Sequence, residues 1–249
     1  MANKASKEKM RLDMLLVQRG LADSREKAKA LIMAGEVEVN GMMADKPGHT
    51  VPISSNVTIK EVYPAYVSRG GLKLEAALDH FLIDVEGLTL LDIGASTGGF
   101  TDCLLKRGAK KVIAVDVGYG QIHWRIRQDP RVVILEKTNA RLLTPNDLEE
   151  DINGAVVDVS FISLKLIIPP VSKLLLKNSF IIALIKPQFE VGRHQVGRGG
   201  VVRDSSIHRA VVDGLSGFFK GQGWSVIGHI PSPILGPKGN REFLIYLKR

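Results

Sequence analysis

The residues with the clearest potential for chemistry form a glycine-rich turn behind an apolar run. The turn reads Asp92-Ile93-Gly94-Ala95-Ser96-Thr97-Gly98-Gly99-Phe100. Glycines at the point where a strand turns into a helix let the backbone approach a ligand closely, beside the positive end of the helix. About one strand later, another apolar run ends at Asp116. An acid in that place accepts hydrogen bonds from the two hydroxyls of a ribose.

Two familiar phosphate-binding patterns are missing from this turn. It is not Gly-x-Gly-x-x-Gly, because Ser96 stands where the second glycine would lie, and no Lys-Ser/Thr pair makes it a P-loop. The pattern therefore favours S-adenosylmethionine, which has a ribose but no phosphate, over a dinucleotide or ATP. The alternative is an ordinary strand–turn–helix that binds nothing, and the spaced partner Asp116 disfavours it.

Three further charged residues stand at the ends of apolar segments. Asp158 follows one apolar run, Lys186 follows another, and Glu242 begins the last one. In an open α/β sheet the ligand crevice lies outside the carboxyl ends of the strands, so these side chains are candidates for chemistry. Taken singly, each also fits a place where the chain simply meets water. Lys186 is the more informative one, because Pro187 fixes the exit of the chain after a fully apolar strand.

Strands and helices alternate along most of the chain and predict how these residues are positioned. Alternating βα units predict an α/β fold, a Rossmann-like and mainly parallel sheet, and a terminal hairpin predicts an antiparallel edge. The predicted strands are 88–93, 112–116, 132–135, 155–159 and 180–185, the hairpin strands are 224–229 and 242–247, and the predicted helices include 72–81 and 164–176.

Residues 10–60 have a different character. Apolar residues at helical spacing predict two short amphipathic helices, and Asn40-Gly41 between alternating segments predicts a hairpin turn. The unit resembles the alpha-L RNA-binding module of a ribosomal small-subunit protein and many pseudouridine synthases. The matching residues are Arg11-Leu12-Asp13, Arg19-Gly20-Leu21, Ser24-Arg25, Ala28, Leu31-Ile32, Gly35, Val37 and Val39-Asn40-Gly41. A basic face for phosphates is predicted at Arg11, Arg25, Lys27 and Lys29, and two solvated helix faces are the alternative.

Bulk properties limit the class of protein. The chain has 249 residues and a formal net charge of +8, which favours a polyanionic partner. The single cysteine, Cys103, excludes an intramolecular disulfide and a cysteine-rich zinc site, and we expect no metal. We see no secretory signal and no apolar stretch long enough to span a bilayer, so we expect no membrane association and a cytoplasmic location.

The whole chain resembles the TlyA, or hemolysin A-like, family of ribose 2′-O-methyltransferases, which have an FtsJ-type catalytic domain. Motifs in family order carry the resemblance: 67–74 (Val-Ser-Arg-Gly-Gly-Leu-Lys-Leu), 92–100, 114–121 (Ala-Val-Asp-Val-Gly-Tyr-Gly-Gln), 158–164 (Asp-Val-Ser-Phe-Ile-Ser-Leu), 186–190 (Lys-Pro-Gln-Phe-Glu) and 239–242 (Gly-Asn-Arg-Glu). The resemblance implies a class I methyltransferase sheet behind a small α+β RNA-binding domain. We predict an RNA-binding domain at 1–62, a linker at 63–67 and a methyltransferase domain at 68–249.

The resemblance also implies roles for individual residues. The family's Lys-Asp-Lys-Glu tetrad falls on Lys73, Asp158, Lys186 and Glu242. Burial of Lys186 near Lys73 would favour a neutral amine that acts as a base, and the two acids would orient the lysines. Whether Lys186 is the base or a positioning group stays open. Residues implied to hold S-adenosylmethionine are Asp92, Gly94, Ala95, Ser96, Gly98, Gly99 and Phe100, with Asp116 at the ribose, Val117 at the adenine and Asn139 at its amino group.

The expected reaction is 2′-O-methylation of a cytidine in ribosomal RNA, within ribosomal subunits or their precursors. The chain has no Asn/Asp-Pro-Pro-Tyr motif after the fourth strand, which disfavours methylation of an exocyclic base nitrogen. The basic loop that carries Arg193 and Arg198 either closes over RNA phosphates or is a linker. Alternatives are a membrane-active hemolysin and a non-catalytic RNA-binding ribosome assembly factor. Oligomeric state, the exact nucleotide and the number of subunits modified stay open.

Overall fold

The computed structural model divides the chain into two compact units, 1–63 and 64–249. It describes residues 8–22, 24–33, 37–44, 46–59, 66–192, 195–197 and 199–249. Arg193 and Arg198, together with residues 63–65 of the predicted linker, lie outside these ranges.

The first unit contains two helices and short strands. Its elements are β1 (Lys9–Arg11), α1 (Leu12–Gln18), α2 (Arg25–Met33), β2 (Val37–Val39), β3 (Met42–Ala44), β4 (Thr50–Pro52) and β5 (Val57–Ile59). The predicted hairpin is confirmed, because Asn40 and Gly41 both take positive φ between β2 and β3. Strand β5 pairs with the other edge of β2, and β1 pairs with β4, which the sequence did not predict. Apolar side chains of both helices and the strands form one buried core.

The second unit is built on a seven-stranded sheet. Its elements are α3 (Gly70–His80), β6 (Thr89–Ile93), α4 (Gly99–Lys106), β7 (Lys111–Val115), α5 (Trp124–Arg127), β8 (Val132–Leu135), β9 (Ile152–Val157), α6 (Leu164–Val171), β10 (Leu175–Ile185), α7 (Pro187–Glu190), α8 (Ser205–Gly221), β11 (Ser225–Pro231) and β12 (Phe243–Lys248). The strand order is β11-β12-β10-β9-β6-β7-β8. Strand β12 runs antiparallel to both of its neighbours, β10 and β11, and the remaining neighbouring pairs of the sheet are parallel. The predicted Rossmann-like α/β class with an antiparallel edge is confirmed.

Apolar residues cover both faces of this sheet and form two buried clusters. This is the expected arrangement for parallel strands, whose two faces both carry helices. One predicted boundary was wrong: the helix expected at 164–176 ends at Val171, and the chain from Leu175 already pairs with β9. A run of apolar residues does not distinguish a helix end from a buried strand, and pairing with β9 decides it.

Candidate active site

The glycine-rich turn lies between β6 and α4, where the carboxyl ends of β6 and β9 meet. Gly94 has φ 84°, and a Cβ atom there would approach the backbone oxygen of Asp158 to 2.6 Å. The Asp158 N–H in turn donates to the Ile93 carbonyl at 2.9 Å. Only glycine leaves room for this approach, so the turn and Asp158 are held together at the end of the sheet.

Asp116 holds the middle of the turn. Its Oδ2 accepts a hydrogen bond from the Ser96 N–H at 2.8 Å, and its Oδ1 accepts one from the Gly118 N–H at 2.7 Å. Ser96 has φ 50°, a left-handed conformation that a serine rarely takes, and this hydrogen bond stabilises it. An ionised carboxylate has about four acceptor positions, so Asp116 retains acceptors for hydroxyl groups of a ligand.

A cavity of about 470 Å³, the cofactor cavity, opens beside Asp116. Its volume lies within the range of about 300–1,000 Å³ that is common for small-molecule sites. Gly94, Ser96, Asp116, Val117 and Asn139 line it, as predicted. Further lining residues that the sequence analysis did not select are Gln121, Thr138, Arg141, Phe161 and Ile162.

Phe161 is a highly exposed apolar residue among these additional residues. Its side chain is 89% exposed, its φ is 64°, and its ring lies 4.9 Å from that of Phe189. Phe161 belongs to the motif that begins at Asp158, so an aromatic residue three positions after the tetrad aspartate was the available signal. The side chain presents an apolar face at the wall of the cofactor cavity.

Two predicted cofactor residues, Asp92 and Gly98, line neither the cofactor cavity nor the cleft that adjoins it. Asp92 is completely buried in β6, where its Oδ2 accepts a hydrogen bond from the Thr101 hydroxyl at 2.6 Å. Burial raises the pKa of this carboxyl to about 7, against the opposing effect of the Thr101 hydrogen bond. Among the described residues its Oδ1 has no hydrogen-bond partner. Asp92 thus stabilises the glycine-rich turn through its buried hydrogen bond to Thr101 of α4, and its side chain does not line the cofactor cavity.

A second cleft of about 450 Å³, the acceptor cleft, adjoins the cofactor cavity and shares Gly94, Ser96, Asp158 and Ser160 with it. Ala95, Gly99, Phe100, Lys73 and Lys186 also line this cleft. Lys186 Nζ lies 2.6 Å from Asp158 Oδ1 and donates to the Ser160 hydroxyl at 2.9 Å. Ser160 was not among the site residues predicted from the sequence. The structure thus brings one lysine and one acid of the predicted tetrad together at the junction of the cofactor cavity and the acceptor cleft.

The other two tetrad residues form a second, more deeply buried ion pair. Lys73 Nζ of α3 lies 2.6 Å from Glu242 Oε2, just before β12, and Glu242 is 2% exposed. The sequence predicted that the two acids orient the two lysines, and in the structure each lysine has its own carboxylate. A buried pair of opposite charges offsets part of the desolvation cost of both groups.

The loop 234–238 completes the acceptor cleft and accommodates Glu242. A Cβ on Gly236 would lie 2.1 Å from Glu242 Oε1, so the absent side chain makes room for the carboxylate. Asn240 is buried and ties this loop to a neighbouring one: its amide donates to the carbonyls of Gly200 and Pro237, and its Oδ1 accepts from the Val202 N–H. The position of Glu242 therefore depends on contacts distant in sequence.

The predicted RNA-binding residues of the first unit have mixed surroundings. Arg11 and Arg25 each lie 3.0 Å from the buried carboxylate of Asp13, and hydrogen bonding from Arg11 lowers the pKa of Asp13 to about 2 despite burial. Both guanidinium groups are still about half exposed. Lys27 is exposed and Lys29 is partly exposed on α2. The two arginines thus stabilise the fold of this unit while keeping donors at its surface.

Solved structures share this architecture. The solved structure of a Streptococcus thermophilus protein that carries the hemolysin name matches with a TM-score of 0.76 and 48% identity, over 97% of this chain and 88% of that chain. A S-adenosylmethionine-dependent methyltransferase from Aquifex aeolicus has the same fold at 16% identity, with a TM-score of 0.51 over 73% of this chain and 94% of that chain. The fold and the site together define an S-adenosylmethionine-dependent methyltransferase.

Family comparisons are more specific. The model of the FtsJ-like methyltransferase family matches residues 66–249, and that of the S4 domain matches residues 10–57. The chain belongs to the FtsJ-like methyltransferase family and, within it, is homologous to TlyA proteins. The "16S/23S rRNA (cytidine-2'-O)-methyltransferase TlyA" of Mycobacterium tuberculosis is 46% identical, over 96% of this chain and 89% of the relative. "Hemolysin A" of Brachyspira hyodysenteriae is 42% identical, over 95% and 99%. No helix in the described part of the chain is long and apolar enough to cross a membrane.

Proposed function

We propose that this enzyme transfers a methyl group from S-adenosylmethionine to the ribose 2′-hydroxyl of a cytidine in ribosomal RNA. The observation that carries the proposal is the Lys186–Asp158 pair at the junction of the cofactor cavity and the acceptor cleft. Relatives along nearly the whole chain are named as rRNA cytidine 2′-O-methyltransferases, which supports the choice of acceptor.

Lys186 is the proposed base for the acceptor hydroxyl. A neutral amine has two hydrogens and one lone pair. Asp158 and Ser160 both lie within hydrogen-bonding distance of Lys186 Nζ and can accept those two hydrogens. The lone pair is then left to take the proton of a 2′-hydroxyl in the cleft. Proton removal by a positioned base typically contributes about 10²–10⁴ in rate, and alignment of the reacting atoms adds to it.

Lys73 and Glu242 are the proposed positioning pair. Lys73 lines the acceptor cleft, and Glu242 holds its ammonium from the buried side. A fixed ammonium donates hydrogen bonds to oxygen atoms of an entering nucleotide and stabilises negative charge on the acceptor oxygen.

The cofactor cavity fits S-adenosylmethionine in the chemistry of its donors. Asp116 retains acceptors for two ribose hydroxyls, Val117 and Ile162 supply apolar walls for the adenine, and Asn139 supplies an amide at its edge. We assign the methionine end to Gly94, Ala95, Ser96, Gly99 and Phe100. Asp92 and Gly98 act through the shape of the turn. When bound, S-adenosylmethionine supplies an electrophilic methyl group on a positively charged sulfur.

The first unit is the proposed RNA-docking module, with residues 1–62 as this domain, 63–67 as the linker and 68–249 as the methyltransferase. Half-exposed Arg11 and Arg25, together with Lys27 and Lys29, are proposed to contact phosphates, and Arg193 and Arg198 to add contacts from the loop of the second unit. A ribosomal RNA substrate supports a cytoplasmic location for this enzyme.

The decisive experiment incubates small and large ribosomal subunits with labelled S-adenosylmethionine and maps the modified nucleotide by mass spectrometry. Wild type should methylate a cytidine ribose, and Lys186→Ala should lose most of this activity while still binding the cofactor. Methylation that survives Lys186→Ala undiminished would refute the assignment of the base. Absence of methylation by wild type on any subunit would favour an assembly factor, and leakage of liposomes caused by pure protein would favour a hemolysin.

A further inference from the structure

An unusual surface lies beside the cofactor cavity, on the short helix α5, the loop before it and the loop that follows β8. We call it the aromatic rim and define it by Tyr119, Trp124, Arg125 and Lys137. Trp124 is 63% exposed, whereas the other tryptophan of the chain, Trp224, is 3% exposed. A large aromatic side chain left in water gives up the stabilisation that burial would provide, which points to a partner that covers it.

The aromatic rim is hydrogen-bonded to the glycine-rich turn, which lies between the cofactor cavity and the acceptor cleft. The His123 N–H donates to the Thr97 carbonyl at 3.1 Å, and Thr97 lines the acceptor cleft. His123 Nδ1 accepts a hydrogen bond from the Arg125 N–H, and Ile126 is buried beneath the helix. Trp124 and Arg125 are therefore held on an anchored turn and stay at the surface next to the site.

Glu136 connects the two parts of the aromatic rim, the loop that carries Tyr119 and the helix α5 that carries Trp124 and Arg125. Its Oε1 accepts from the Gly120 N–H at 2.8 Å and from Arg127 Nη2 at 2.6 Å, which connects the loop of Tyr119 to α5. Tyr119 is also well exposed, and Lys137 Nζ lies 4.5 Å from the centre of its ring. The loop that carries Tyr119 and the helix that carries Trp124 and Arg125 are thus held in a fixed arrangement.

The charge of the rim is positive. Glu136 pairs with Arg127, whereas no carboxylate within the described ranges pairs with Arg125 or Lys137. Exposed aromatic side chains next to cations without a carboxylate partner are the combination that binds single-stranded nucleic acid, because bases stack on the rings and phosphates contact the cations. A protein partner would need carboxylates and apolar side chains in the same places.

We propose that Trp124 stacks on an unpaired base of the RNA next to the methylated nucleotide, with Arg125 and Lys137 on the flanking phosphates. The proposal rests on the RNA methyltransferase function above and adds a second RNA contact, on the catalytic unit itself. It assigns the rim to RNA binding and leaves the chemistry to the acceptor cleft.

Variants at position 124 test the proposal in the full-length protein. Trp124→Ala should raise KM for the ribosomal subunit about five- to hundredfold, as is typical for loss of one base–aromatic stack, with kcat and cofactor affinity unchanged. Trp124→Phe should restore most of the affinity. Ile227→Ala is the matched control, because it removes a half-exposed apolar side chain from β11, at the sheet edge opposite β8. An unchanged KM in Trp124→Ala, with an active wild type, would overturn the proposal and leave the proposed function intact.

Tryptophan fluorescence supplies an independent measurement. A single-stranded RNA oligonucleotide should protect wild type from quenching by acrylamide, and Trp124→Phe should lose this response, because only buried Trp224 remains. If RNA protects Trp124 in a wild type that methylates no rRNA, the result would support RNA binding at the aromatic rim and refute the methyltransferase function. RNA that binds without protecting Trp124 would overturn the proposal and point to a protein partner. Arg125→Ala should reduce the slope of log affinity against log salt concentration by about 0.7–1.

Discussion

The buried carboxyl of Asp92 makes the stability of this enzyme depend on pH. Its pKa is raised to about 7 in the folded chain, whereas the ordinary value of an aspartate is about 3.9. The folded state therefore binds a proton more tightly than the unfolded state. Stability from this group is fully present below about pH 4 and is lost as pH rises to about 7, after which the penalty is constant.

The size of the effect follows from the difference between the two pKa values. Each unit is worth about 1.4 kcal/mol, so the penalty approaches about 4 kcal/mol above pH 7. Asp92→Asn removes the ionisable group while its amide oxygen still accepts the Thr101 hydrogen bond. The free energy of unfolding of the variant, relative to that of wild type, should therefore rise by about 2–3 kcal/mol as the pH goes from 5 to 7.

Urea unfolding of both proteins at closely spaced pH values measures this difference. Thr101→Val serves as the control, since it removes the hydroxyl donor and should leave Asp92 even harder to ionise. A difference between wild type and Asp92→Asn that stays constant from pH 5 to pH 8 would refute the reasoning. It would mean that the carboxylate ionises in the folded protein as easily as in the unfolded chain.

Three further predictions concern the site. Glu242→Gln leaves the buried ammonium of Lys73 unpaired and should cost about 3–5 kcal/mol of stability in thermal or urea unfolding. The double variant Lys73→Met with Glu242→Leu should recover most of that stability but not the activity, and equal stability of the single and double variants would contradict this. Asp116→Ala should weaken S-adenosylmethionine binding about 10- to 100-fold by calorimetry, because charge-assisted hydrogen bonds are lost, and exposed Asp213→Ala should not. Lys186→Arg keeps a positive charge and donors but provides no base, so kcat should fall about 10²–10⁴-fold with cofactor affinity unchanged. A fast arginine variant would show that Lys186 only positions the hydroxyl.

Local patterns predicted the positions of the main functional segments. The glycine-rich turn and Asp116 both lie where the sequence placed them, at the ends of adjacent strands β6 and β7. The terminal hairpin is also present, although the sequence did not predict that β12 would lie between β10 and β11. Strand order depends on which apolar faces pack together across the whole sheet, and alternation of residues does not encode it.

Pairing of side chains was less predictable. Arg11 and Arg25 were selected as RNA ligands, and nothing in their spacing indicated that both would contact Asp13. Asp92 belongs to the cofactor motif by sequence but is buried beneath the turn. Burial and contacts between distant residues set the electrostatics of these groups, so a motif alone does not separate a ligand-facing acid from a supporting one.

By itself, the sequence determined the class of chemistry: glycines for close approach, an acid for a ribose, and four charged residues in family order. The tertiary structure alone decided how those four residues combine. Lys73 and Glu242 are 169 positions apart and meet because α3 packs beside β12, whereas Lys186 and Asp158 meet because β10 pairs with β9. Each lysine receives one carboxylate, since separate buried charges are costly and pairing offsets that cost. The glycine-rich turn forms one wall of the acceptor cleft. The pairing of β10 with β9 brings Lys186 and Asp158 to the other wall.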